Sequence, residues 1–270
     1  MISEVILLAK TIFIFTMLAY FSYLDIKYRE IKDTYIYMYI TFSVIFSIIT
    51  FYTLASSNIS LVTLIAYLAI SIVCGPVLAY VMYKFKLMGL GDVYAIIGFS
   101  LTYFYVEIYD HVLFRTSTKL HLPPVIPLLL YANILMAITI PYNVIVNIVR
   151  YRQLIPQTTI YKKILILING RPMKIRDYLK TRHVYLLEDI VISPEGGIVR
   201  KYKSSFDINA EYIDEQRRIK ELVEKGFLTL DDYIWTSYGI PYIVLLFIGF
   251  IILLIIGDLP MIYILMMLIR

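Results

Sequence analysis

Along most of this chain, apolar runs of roughly membrane-crossing length alternate with short polar segments. A helix needs about 20 apolar residues to traverse the hydrocarbon core. By that measure spans are expected at residues 5–24, 35–54, 61–83, 93–108, 124–149 and 240–256, followed by an apolar tail at 259–269 too short to cross alone. Lys10 interrupts the first run and is expected to snorkel toward an interface. Gly75-Pro76 predicts a kink in the third. The first run lacks a basic leader and an A-x-A-type cleavage site, so it reads as a span rather than a secretory signal.

The pattern changes between residues 150 and 239. A β-branched run at 163–168, the turn pair Asn169-Gly170 and a return at 172–175 predict one hairpin. Residues 184–192 and 198–202, around a turn at 194–197, predict a second. Helical spacing over 211–224, stopped by Gly226, predicts a helix. The expected fold class is thus an α-helical polytopic membrane protein of about six transmembrane helices. A small α+β domain is inserted before the last span. The expected divisions are 1–149, 150–239 and 240–270.

Charge placement agrees with that division. The chain has 270 residues, 60% apolar and 17% charged, with a mean hydropathy of +0.76. Of its 45 charged residues, 28 lie between 150 and 239. That composition excludes a water-soluble enzyme and a disordered chain. The net charge of +5 marks cytoplasmic loops rather than nucleic-acid binding, because Lys and Arg concentrate on the inner side of membranes. Lys27, Arg29, Lys32, Lys84, Lys86, Arg150 and Arg152 share one side. The rule therefore places the N-terminus outside and the polar domain in the cytoplasm. Cys74 is the single cysteine, which excludes an internal disulfide and a thiolate zinc site. His111 and His121, near Asp110, read as loop polarity rather than as metal ligands.

Two carboxylates stand out in the apolar part. Asp25 ends the first span, and Asp92 opens the fourth within Gly89-Leu90-Gly91-Asp92. Two crossings separate them, so both face the same side whichever way the chain inserts. Carboxylates inside membrane helices are costly and mark functional sites. Gly89 and Gly91 predict unusual backbone torsions or a close approach beside Asp92. Two neighbouring carboxylates share a proton. The ionised one takes a proton from water while the protonated one polarises a peptide carbonyl, which hydrolyses a peptide without metal or cofactor. No serine with a nearby histidine, activated cysteine or P-loop competes with this pair. The alternative is a proton-coupled transporter relaying protons through intramembrane acids, although no second matched break appears in the later spans.

The pattern Asp25-x-x-x-Arg29-x-Ile31-x-Asp33, with Gly89-Leu90-Gly91-Asp92 opening the fourth span, resembles the GxGD membrane aspartic proteases. Within that group it is similar to the type IV prepilin peptidases, and specifically to the archaeal preflagellin peptidases. Two positions depart from the family pattern: Lys32 stands where many members have proline, and Tyr94 where they have lysine. The resemblance implies an aspartic endopeptidase, a class III signal peptidase, with Asp25 and Asp92 catalytic and Gly89 and Gly91 supporting. It implies preflagellin or pilin-like precursors as substrates, cut between a short basic leader and the following hydrophobic helix. Glu30 and Asp33 are expected to attract that leader, since opposite charges steer encounter. No cofactor, metal or nucleic acid is expected, and the bilayer is the second partner.

Overall fold

In the computed structural model, residues 2–57, 59–84, 88–114, 121–193, 197–203, 212–239 and 241–269 are described. They form two compact units, residues 1–135 with 241–270, and residues 136–240. The first unit opens with α1 (Ile2–Tyr28), α2 (Asp33–Ala55), α3 (Leu61–Lys84) and α4 (Leu90–Thr102). A 3-10 helix, Val106–His111, leads to α5 (Val125–Arg150), whose second half belongs to the other unit. The second unit continues with α6 (Ile160–Asn169), β1 (Arg171–Lys174), α7 (Ile175–Tyr178), β2 (Val184–Leu186), β3 (Glu188–Ile192), β4 (Ile198–Tyr202), α8 (Tyr212–Glu224) and β5 (Tyr233–Tyr238). The chain then returns to the first unit with α9 (Tyr242–Ile256) and α10 (Leu259–Ile269).

The protein is a mostly helical, multi-pass membrane protein with a small α/β unit, but fewer of its helices can cross than the hydropathy implied. Among the described residues, four helices are long and apolar enough, and α9 with α10 makes a fifth if that pair, bent by 73°, is one span. The expected span 93–108 is corrected by length. Its helix, α4, has 13 residues, about 20 Å at 1.5 Å per residue, against roughly 30 Å of hydrocarbon. The tail expected at 259–269 is α10, turned away from α9 at Gly257, where φ is +60°. Pro76 lies inside α3 without ending it. Residues 86, 115 and 119, used in weighing the loops, lie outside the described residues.

Short α4 is held by close packing rather than by its own length. A Cβ at Gly98 would stand 2.1 Å from the Tyr39 ring of α2, and one at Gly75 of α3 would stand 2.3 Å from Ser100 Oγ. Tyr39, fully buried, donates its hydroxyl to the Ala95 carbonyl at 3.1 Å. Ser71 Oγ donates to the Ser100 carbonyl at 3.1 Å. Gly98→Ala is therefore expected to cost about 1–3 kcal/mol through overpacking. Gly91→Ala, whose Cβ would meet nothing closer than 3.7 Å, should leave stability unchanged. Equal thermal midpoints for the two variants in detergent would contradict this account.

Lys10 does not snorkel. It is fully buried, donates to Thr50 Oγ1 at 3.0 Å, and forms an ion pair with Glu107. Its ammonium also lies 4.9 Å from the centre of the Tyr103 ring. A buried ammonium needs such partners because desolvation is expensive, and Glu107 supplies the countercharge from beyond α4. At the α9–α10 bend, Asp258 is buried and accepts from Leu122 N–H at 3.0 Å, with His121 Nδ1 3.2 Å away. His121 is thus joined to a single carboxylate.

In the second unit the first expected hairpin is absent. Residues 163–168 lie in α6, because the amides of Asn143 and Asn147 satisfy its last carbonyls. Asn143 Nδ2 donates to Ile168 at 3.0 Å and Asn147 Nδ2 to Leu167 at 2.9 Å. β1 pairs instead with β5 in an antiparallel sheet of order β1-β5-β2. The second expected hairpin forms between β3 and β4. The expected strand 184–192 is broken after Leu186, so that β2 pairs with β5. Residues 194–196 of its turn, residue 211 of the expected helix and residue 240 of the last span lie outside the described residues. Ile175, Tyr178, Ile219 and Ile234 form the core of this unit. Glu188 is wholly buried. Burial pushes its carboxyl above the usual carboxylate range, and the Arg200 guanidinium opposes that rise.

Candidate active site

Asp25 lies one turn before the end of α1. The helix ends because Arg29 takes a left-handed conformation, φ +55°, with its N–H on the Asp25 carbonyl at 3.2 Å. The chain then re-enters a helix at Asp33, whose carboxylate in the first turn suits the positive end of the α2 dipole. Lys32, before it, has φ −63° and ψ 137°. Those are the angles a proline ring favours, so the departure from the family pattern at this position leaves the backbone geometry intact.

Asp92 occupies the third position of α4 and is buried. Its Oδ2 accepts from the Gly89 N–H at 2.7 Å, which satisfies an otherwise orphaned donor at the helix start. The expected role of the two glycines is corrected in part. Gly89 has φ −84°, and neither it nor Gly91 is among the described positive-φ residues. A Cβ at Gly89 would meet Asp92 Oδ2 at 3.6 Å, and one at Gly91 would meet Ile31 Cδ1 at 3.7 Å. These are ordinary contacts. What the glycines supply here is open space beside the carboxylate.

That space is one cavity of about 260 Å³, within the first unit. Asp25, Asp92, Gly89, Gly91, Glu30 and Asp33 all line it. Sequence reasoning placed the two aspartates on one side of the membrane, and the fold brings them within electrostatic reach of each other. Arg29 is close enough to act on both charges. The main-chain N–H of Ile243, in the first turn of α9, reaches both carboxylates. It was invisible in the sequence, since any non-proline residue supplies such a donor. Tyr94 and Ile36 complete the wall without having been singled out as lining residues.

The family model described as "Type IV leader peptidase family" matches residues 12–141, and the one described as "Archaeal Peptidase A24 C-terminus Type II" matches residues 162–259. This chain belongs to the type IV leader peptidase family. It is a prepilin/preflagellin-type peptidase rather than a transporter. The leader-peptidase match contains α2, α3, α4 and the three cavity aspartates, Asp25, Asp33 and Asp92. The archaeal match runs from α6 through α9 and so contains Ile243. A comparison with curated proteins returns no match.

Proposed function

We propose that this leader peptidase is an aspartic endopeptidase in which Asp25 and Asp92 activate water. The supporting observation is the single cavity that both carboxylates line. In the reaction, the ionised carboxylate takes a proton from water as the water oxygen attacks the peptide carbonyl carbon. The protonated carboxyl passes its proton to the carbonyl oxygen, giving a gem-diol. Collapse breaks the C–N bond: the departing amine takes a proton from the carboxyl that received it from water, and a hydroxyl of the diol returns its proton to the other carboxylate, restoring the dyad. Arg29 and the Ile243 N–H stabilise negative charge beside the reacting atoms. Replacing Asp25 and Asp92 singly by Asn, and assaying precursor cleavage in membranes, tests the assignment. Full activity in either variant would overturn it.

The substrate is a preflagellin or pilin-like precursor, cut after its short basic leader at the cytoplasmic face. Two features support this: membership of the leader peptidase family, and the Lys27, Arg29, Lys32 and Lys84 cations that flank the two aspartates in the chain, as on cytoplasmic loops. Glu30 and Asp33 line the same cavity and present negative charge to a basic leader. Glu30→Gln with Asp33→Asn is expected to raise KM several-fold at low salt. The difference should shrink as the Debye length falls from about 30 Å at 0.01 M to about 8 Å at 0.15 M ionic strength. Cleavage kinetics unchanged at every ionic strength would remove both residues from leader binding.

A further inference from the structure

Helix α6 has one buried side and one bare side. Ile166 packs with Leu187 and Trp235, while Ile160, Tyr161 and Ile164 are 72%, 68% and 48% exposed. These three, at positions i, i+1 and i+4, share a face. Lys163 and Lys162 flank it on its two edges, and Arg150 and Arg152 precede it closely in the chain.

The height of α6 is set by α5. Asn143 and Asn147 lie seven and three residues before the end of that helix, about 5–10 Å along its axis. Their amides hold the last carbonyls of α6, and Asn147 also donates to the Gly170 carbonyl at 2.8 Å. Around them on α5, Tyr142, Ile145, Ile148 and Val149 are exposed and Arg150 closes the run. The end of α6 is therefore level with the point where α5, read as a membrane span, leaves hydrocarbon for water.

We propose that α6 lies in the bilayer interface, with Ile160, Tyr161 and Ile164 among the acyl chains and Lys162 and Lys163 on anionic headgroups. Apolar side chains flanked by lysines on a short helix at that depth suit a charged lipid surface. The occupant is lipid rather than protein because the exposed apolar arc is bordered on both edges by a lysine where the neighbouring span exits.

Nitroxide labels on the full-length protein in bilayers test this. In a Cys74→Ser background, labels are placed singly at Ile160→Cys, Tyr161→Cys and Ile164→Cys, with Leu230→Cys, an exposed position in the same unit, as the aqueous reference. In phosphatidylcholine/phosphatidylglycerol bilayers, collisions with oxygen relative to a water-soluble nickel chelate should be higher at the three α6 positions than at 230. The ratio at 161 should fall in phosphatidylcholine alone, and also when Lys162→Glu and Lys163→Glu are introduced. Ratios equal to that at 230, or indifferent to lipid charge and to charge reversal, overturn the proposal. Dipolar broadening at 161 overturns it too, by placing a second copy of the chain on this face.

Discussion

Asp25→Asn and Asp92→Asn are each expected to lower precursor cleavage by roughly a hundredfold to ten-thousandfold, the range that a positioned acid or base contributes. The two losses should not add. Once one carboxylate is an amide, the pair has neither a shared proton nor a complete water-activating set, so the double variant should resemble either single one. Asn preserves size at both sites, which separates chemistry from packing. At position 92 an Asn side-chain oxygen still accepts from the Gly89 N–H, so the start of α4 is kept. Folding, read by thermal unfolding in detergent, should therefore stay near the parent for both variants while turnover collapses. Substantial residual cleavage in either variant would leave the cavity without its proposed chemistry.

The second large effect concerns stability. Glu107→Ala or Lys10→Ala should destabilise the membrane unit by about 3–5 kcal/mol, because each leaves an uncompensated charge in a dry site. Lys10 is fully buried, and its replacement also removes the contacts to Thr50 and the Tyr103 ring. The double variant Lys10→Met/Glu107→Leu should recover much of the loss, since apolar groups of similar volume replace a buried pair at little or no cost. Thermal midpoints of the parent, Lys10→Met, Glu107→Leu and the double variant in one detergent form a double-mutant cycle. Additive losses in that cycle would mean that the pair is not coupled. Neither single variant touches the carboxylate cavity, so folded material should retain its turnover.

What the sequence disclosed follows from how far each signal reaches along the chain. Parity of crossings placed Asp25 and Asp92 together without knowledge of any packing, and the acidic residues around them proved to line the same space. The Asn169-Gly170 turn misled because a β-branched run has no fixed partner in sequence. Its fate was decided by Asn143 and Asn147, more than 15 residues upstream, whose amides complete a helix end. Likewise Lys10 read as an interfacial residue because Glu107, its partner, lies 97 positions away. β5 follows the same logic. Its run Tyr233–Tyr238 shortly precedes the last span in the chain, and only its pairing on both edges, with β1 and β2, makes it the central strand. The Ile243 N–H leaves no mark in the sequence at all.

The brevity of α4 has a consequence for biogenesis. A helix of 13 residues cannot reach both surfaces of a bilayer about 30 Å thick, so it gains little from partitioning by itself. It carries Asp92 at one end, and its seat is made by the Tyr39 ring and Gly75. Insertion must therefore run through its neighbours. The chain lodges α2 and α3 first, and their packed surface, rather than lipid, receives the segment that bears the second carboxylate. Assembly and the completion of the cavity are then one event, and a partly inserted chain lacks the space that Asp25 and Asp92 line together.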